Sequence, residues 1–165
     1  MKVGILSFQG SFLDHSKSVY EIGFHPLLIK QSRDLDSIDA LILPGGESTA
    51  MKKINDFSGL LGNVDEIIKD GTPTLTTCAG TILLAKEVID GDETIPNIDI
   101  EVIRNAYGRQ AESFEGSVKF FENEDIYCFI RAPKISKILS DEVNIIAEHN
   151  DEIVGAAQKN VVALT

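Results

Sequence analysis

Cysteine is scarce in this chain: Cys78 and Cys128 are the only two among 165 residues. Two cysteines cannot build the disulfide framework on which small extracellular domains depend. Positive charge is also short, with 15 Lys and Arg against 26 Asp and Glu and a net charge of −11. A nucleic-acid binder needs a basic face to neutralise phosphates, so that class is excluded. No apolar run approaches membrane-spanning length. The opening Met1-Lys-Val-Gly-Ile-Leu-Ser-Phe-Gln-Gly10 turns polar too soon for a signal peptide. A soluble cytoplasmic protein with neither membrane nor nucleic-acid partner is expected. No internal repeat, low-complexity tract or linker divides it. The three histidines, His15, His25 and His149, lack metal-ligand spacing such as i, i+4, so no metal is expected, and no cofactor either.

What is present suits one domain with a proper core. Hydrophobic residues make up 43% and charged residues 25%, ordinary values for a soluble globular chain. Strand and helix patterns alternate through the first half. Val3 to Phe8 reads as a buried strand, Ser11 to Ile22 as a helix closed by Gly23, and His25 to Lys30 as a second strand. Ala40 to Leu43 is an unbroken apolar run of the kind central parallel strands show. Helices are expected at Ser48 to Ile54, Ser58 to Lys69 and Ile82 to Lys86, with a strand over Thr74 to Thr77 before the last of them. This order predicts a three-layer, open, mostly parallel α/β sheet of flavodoxin-like type. Beyond Asp90 the texture changes. Ile98 to Ile103, Gly116 to Phe121, Tyr127 to Ile130, Val143 to Glu148 and Ile153 to Gln158 read as strands with short connections, so an antiparallel section is expected to join the sheet.

Two turns carry the chemistry. Cys78-Ala79-Gly80 is all that separates the strand Thr74 to Thr77 from the next helix, which perches the thiol on a sharp strand-to-helix turn. Backbone N–H groups at a helix N-terminus lie close by and are expected to lower the thiol pKa. A cysteine of unknown context is more often a small buried hydrophobe, but this placement favours a nucleophile. Cys128, in Ile126-Tyr-Cys-Phe-Ile130, is expected on a buried strand and to be the less reactive thiol. The second turn is Leu43-Pro-Gly-Gly-Glu-Ser-Thr49, which follows a strand and opens a helix at the carboxyl edge of the sheet, where ligands of such folds bind. Its glycines permit a tight nest of N–H donors for an oxyanion. It lacks the Gly-Lys-Ser/Thr ending of a phosphate loop.

These residues, with others downstream, resemble a known family. Phe8-Gln-Gly10 with His15, Leu43-Pro-Gly-Gly-Glu-Ser-Thr49, Thr77-Cys-Ala-Gly80, Arg104-Asn-Ala-Tyr-Gly-Arg-Gln110, Glu112-Ser-Phe-Glu115, Phe129-Ile-Arg-Ala-Pro133 and Glu148-His-Asn150 stand in order. They are similar to the pattern of class I, or triad, glutamine amidotransferases, and within them to the glutaminase subunits of pyridoxal 5′-phosphate synthase. The match runs end to end. It implies hydrolysis of L-glutamine to glutamate and ammonia, the ammonia passing to a synthase subunit that builds the vitamin B6 ring. It implies Cys78 as nucleophile and Gly45, Gly46 and Ala79 as oxyanion donors. Gly46, Glu47, Ser48, Arg104, Ile130 and Arg131 would bind glutamine, the arginines suiting its carboxylate. Gln9 and His15 would lie towards the synthase subunit.

The sequence departs from that pattern twice. Thr76 stands where the family has glycine, two residues before the nucleophile, and its side chain is expected to crowd the turn. The family's His-Pro-Glu segment, source of the general base and its orienting carboxylate, would follow the last strand, and the sequence stops at Val161-Val-Ala-Leu-Thr165. The expectation is therefore a single amidotransferase domain, truncated at its C-terminus, with Val161, Val162 and Leu164 left uncovered and a hydrolysis rate far below a complete triad's. Two other readings stay open: a flavodoxin-like module that binds an anion on the Gly45-Gly46 turn or an inactive partner subunit, and a related cysteine hydrolase, against which Ala79 argues because a histidine would follow the cysteine.

Overall fold

The first strand is buried on both faces, and its alternating side chains show how the sheet divides the core. In the computed structural model, which describes residues 1–89, 91, 94–106, 113–121 and 123–165, β1 (Lys2–Leu6) sends Val3 and Ile5 to one face. There they pack on Val19 of α1 (Phe12–Glu21), with Leu28 of β2 (His25–Ile29) and Ile42 of β3 (Ala40–Leu43). Leu6, Ile29, Leu41 and Leu43 point to the other face. That face is covered by α2 (Ser48–Ser58), α3 (Leu60–Lys69) and α4 (Ala79–Leu84), through Met51, Leu61, Val64, Ile68 and Leu83. A period of two along strands and 3.6 along helices makes one apolar set serve each side. The three layers are those expected.

The main sheet has nine strands in the order β2-β1-β3-β4-β12-β11-β10-β7-β8. The strands from β2 through β4 (Thr74–Thr77) to β12 (Val161–Leu164) are parallel. The rest are antiparallel: β11 (Glu152–Gln158), β10 (Asn144–His149), β7 (Phe114–Phe120) and β8 (Asn123–Phe129). A second sheet of β5 (Ala85–Ile89), β6 (Ile98–Ile103) and β9 (Lys134–Ile138) adds Ile98, Ile100, Val102 and Ile135 to the larger core cluster.

Several expectations need correcting. The helix after Cys78 starts at Ala79 and ends at Leu84, and Ala85 opens a strand instead of continuing the helix. The break between α2 and α3 falls at Gly59, whose φ of 66° is the left-handed conformation that ends helices. The segment Val161 to Thr165 is not an uncovered tail. β12 lies between β4 and β11 with two ladders, so Val161 is buried and Val162 and Leu164 are half-buried. Cys128 is exposed, because β8 is the edge strand of the sheet and pairs only with β7. Tyr107 to Gln110 and Glu112 lie outside the described residues.

Candidate active site

Two glycine contacts build the site from the backbone upward. A Cβ on Gly80 would sit 2.2 Å from the Leu43 carbonyl oxygen, so only glycine lets the first turn of α4 press against β3. A Cβ on Gly10, at φ 100°, would sit 1.9 Å from the Gly45 carbonyl oxygen, so only glycine lets the loop after β1 meet the loop after β3. The two turns that the sequence singled out are thereby brought together on adjacent strands, β3 and β4. A methyl group on Gly45 would lie 3.4 Å from Cys78 Cβ.

Cys78 has φ 46° and ψ −102°, an unusual conformation for a residue with a side chain. Its N–H donates to the Leu164 carbonyl at 3.0 Å, while its own carbonyl accepts from Ile82 at 3.1 Å. Burial pushes the thiol pKa up, against the opposing pull of the Gly46 and Ala79 N–H groups and of the Arg131 guanidinium. The direction is opposite to the one expected from a helix N-terminus. α4 has six residues, and so short a helix offers little dipole against the cost of desolvating a thiolate.

The Gly45–Gly46 peptide has defined anchors. Ser11 holds the Gly45 carbonyl with its N–H at 2.9 Å and its hydroxyl at 3.3 Å. Gln9 Oε1 accepts the Glu47 N–H at 2.7 Å. With the Gly45 carbonyl turned to Ser11, the Gly46 N–H faces the sulfur. Glu47 caps α2, its carboxylate accepting from the Thr49 and Ala50 N–H groups at 3.1 and 2.7 Å. Burial works against that charge, but these donors, the Thr49 hydroxyl and Arg104 together hold the Glu47 carboxyl below its ordinary pKa. Arg104 Nη2 lies 3.4 Å from Glu47 Oε1 and 3.1 Å from Thr49 Oγ1.

A cavity of about 810 Å³ joins these groups. Gly45, Gly46, Glu47, Ser48, Cys78, Arg104, Ile130 and Arg131 all line it, whereas Ala79 is buried behind Cys78. Its far wall is apolar, from Val118, Phe120, Phe129, Ala147 and Val154. Asn105 and Arg131 line it too, each at φ 50°, with Arg131 Nη2 3.4 Å from Asn105 Oδ1. Three non-glycine residues with left-handed backbone in one cavity wall mark stored strain, which clusters at functional sites. Asn105 was not singled out from sequence beyond its place in a motif, although asparagine tolerates this conformation better than most residues. Thr77, Cys128, Leu164 and Thr165 are also among the lining residues and were not singled out from sequence as part of the site.

The histidines are elsewhere engaged. His15 Nε2 lies 3.3 Å from Thr77 Oγ1, and burial lowers its pKa against the opposing pull of Asp14. His149 is buried beside Phe114 and Phe129, with Nδ1 2.7 Å from the Ser117 carbonyl and Nε2 3.0 Å from the Asn150 amide nitrogen. His25 is exposed at the start of β2. None of the three is hydrogen-bonded to Cys78. Among the described residues no cluster of His, Cys, Asp and Glu could hold a metal, and no helix is long and apolar enough to cross a membrane.

A three-layer α/β fold with a cysteine on the turn at the carboxyl edge of its sheet is the architecture of class I glutamine amidotransferases. One crystal structure of a glutamine amidotransferase superposes with a TM-score of 0.91 at 34% identity, covering 98% of this chain and 87% of that one. PurLQS from Thermotoga maritima, with a TM-score of 0.72 at 15% identity over 99% of this chain and 85% of that one, shares the fold alone. The model of the SNO glutamine amidotransferase family matches residues 5–165, and the chain belongs to that family. Its curated relatives include the pyridoxal 5′-phosphate synthase subunits PdxT of Methanocaldococcus jannaschii and Clostridium beijerinckii. Both are 43% identical, covering 100% and 98% of this chain and 88% and 87% of theirs.

Proposed function

We propose that this chain is a single-domain glutaminase subunit that hydrolyses L-glutamine and hands the ammonia to a pyridoxal 5′-phosphate synthase subunit. The observation that carries the reading is the strained Cys78 turn, with the Gly46 and Ala79 N–H groups facing the sulfur inside the cavity that Arg104 and Arg131 line. Family membership supports the reaction and sets aside a module that merely binds an anion.

In this mechanism the Cys78 thiolate attacks the side-chain amide carbon. A C–S bond forms and the carbonyl electron pair moves onto oxygen, where the Gly46 and Ala79 N–H groups receive it. Collapse breaks the C–N bond, and the nitrogen leaves as ammonia once it has taken a proton. Water then cleaves the thioester to glutamate and restores the thiol. Arg104 and Arg131 hold the substrate α-carboxylate, and Glu47 and Ser48 shape the entrance to the cleft. Preformed donors matter here because the raised thiol pKa makes thiolate scarce at neutral pH. The experiment is exposure to the chloroketone analogue of glutamine followed by peptide mapping. Covalent modification at Cys78, blocked by excess glutamine, is expected; modification independent of glutamine would count against the assignment.

A further inference from the structure

Thr76, where glycine was expected, is fully buried, and its hydroxyl is not stranded. Thr76 Oγ1 lies 2.8 Å from Thr81 Oγ1, and the Thr81 hydroxyl donates to the Leu164 carbonyl at 2.5 Å. One proton direction satisfies both contacts: Thr76 donates to Thr81, because the Thr81 proton is committed to Leu164. The same Leu164 oxygen accepts the Cys78 N–H at 3.0 Å, so both of its lone pairs are used. A fully buried chain of hydroxyls therefore runs from the last turn of β4, through the first turn of α4, to the end of β12, and meets the nucleophile's own backbone there.

We propose that Thr81, oriented by Thr76, is a positioning residue that straps the Cys78 turn to the Leu164 carbonyl and holds the thiol in line with its N–H donors. The need for a strap follows from the backbone. A cysteine at φ 46° and ψ −102° relaxes unless its surroundings over-determine it. Gly80 supplies the close approach to Leu43 but no hydrogen-bonding side chain. Thr81 supplies that bond from within the turn, and its loss would leave buried Thr76 without an acceptor, a costly state that a shift of the turn would relieve. The crowding expected of Thr76 is thus converted into a tether. The inference rests on the proposed role of Cys78.

The test compares Thr81→Val, Thr81→Ser and Thr76→Val in the full chain, mapping both cysteines after two reagents. With iodoacetamide, Thr81→Val is expected to slow Cys78 labelling about tenfold near neutral pH and to move its pH profile upward, the factor one lost hydrogen bond corresponds to. Thr81→Ser, which keeps the hydroxyl, is expected to restore the rate to within about twofold, and Thr76→Val to fall between them. Exposed Cys128, on the edge strand, should label alike in all variants. A Thr81→Val protein with a lower melting temperature but an unchanged Cys78 profile would overturn the strap. Should Thr81→Val fail to fold, an unchanged profile in Thr76→Val has the same force. The second reagent, the chloroketone analogue of glutamine, separates the two ideas. If it ignores Cys78 in the parent chain, the glutaminase reading fails while the iodoacetamide comparison still decides the strap.

Discussion

At the scale of single residues, the two thiols differ in the reverse of the simple expectation. Cys78 is desolvated with a pKa above its ordinary value, and Cys128 lies open on β8. At about pH 7 an uncharged alkylating reagent should therefore modify Cys128 at least as fast as Cys78. Cys78 labelling should keep climbing as the medium turns alkaline. Rapid neutral labelling of Cys78 with a plateau well below pH 9 would show that its donors outweigh burial. Arg131 is one of the groups that favour the thiolate, so Arg131→Ala should move the Cys78 profile to still higher pH; being exposed, the guanidinium should shift it only modestly. His15 gives a second pH signature. Burial lowers its folded pKa below the ordinary 6.5, so the unfolded chain binds more protons in the window between the two values. Stability is then full above that window and falls as pH drops through it. Melting curves at about pH 7 and pH 5 should show a larger acid-induced loss for the parent than for His15→Gln. Equal losses would mean that His15 does not contribute.

At the scale of elements, the α4 turn and the α2–α3 break call for glycine on different grounds. At Gly80 the obstacle is steric, from the Leu43 carbonyl and Cβ, and backbone cannot yield as a flexible side chain can. Gly80→Ala should cost about 1–3 kcal/mol or more and slow chloroketone labelling at Cys78. At Gly59 there is open space, and only the left-handed φ of 66° resists a side chain. Gly59→Ala should cost about 1 kcal/mol and leave Cys78 labelling unchanged. Differential scanning calorimetry with the labelling assay separates the two. The same contrast explains what the sequence made legible. The parallel half could be read because long apolar strands and capped amphipathic helices repeat at fixed periods, and Gly59 misled only the boundary between two helices. Of the β5-β6-β9 sheet only β6 was read from sequence, with the bounds it has in the structure; β5 was missed because a strand follows α4 without a turn signal, Leu84 and Ala85 being adjacent apolar residues. The cysteine and glycine turns stood out because tight backbone needs small residues. The Thr76–Thr81–Leu164 contact did not, since it joins residues 83 positions apart that carry no motif.

At the scale of the whole molecule, the site lies where four pieces of chain converge, and none fixes it alone. Cys78 comes from β4, the Gly45–Gly46 peptide from the loop after β3, its anchors from the loop after β1, and the arginines from the ends of β6 and β8. The oxyanion peptide is the least constrained of these. Gly46 is exposed, and the peptide is held by Ser11 and by the Gln9 amide next door, all on one rim of the cleft. Two adjacent glycines leave the peptide free to turn away from the orientation seen here, in which the Gly46 N–H faces the sulfur, so a partner docking on that rim would raise the share of molecules that hold it. The raised thiol pKa and the absence of an imidazole on Cys78 work in the same direction, since an unactivated thiol attacks an amide poorly. General acid–base assistance is worth about two to four orders of magnitude, so these 165 residues alone should release ammonia from glutamine at least about a hundredfold more slowly than an assembled enzyme. Ammonia release is to be followed for the chain alone, for the chain with a pyridoxal 5′-phosphate synthase subunit, and for Cys78→Ala in the same mixture. A partner that only orders the oxyanion peptide should raise chloroketone labelling of Cys78 without restoring full turnover. A partner that also supplies an acid–base group should restore both. Fast hydrolysis by the chain alone would require one of its own side chains to serve as base, and His15, one residue away from the thiol through Thr77, would then be the first to replace.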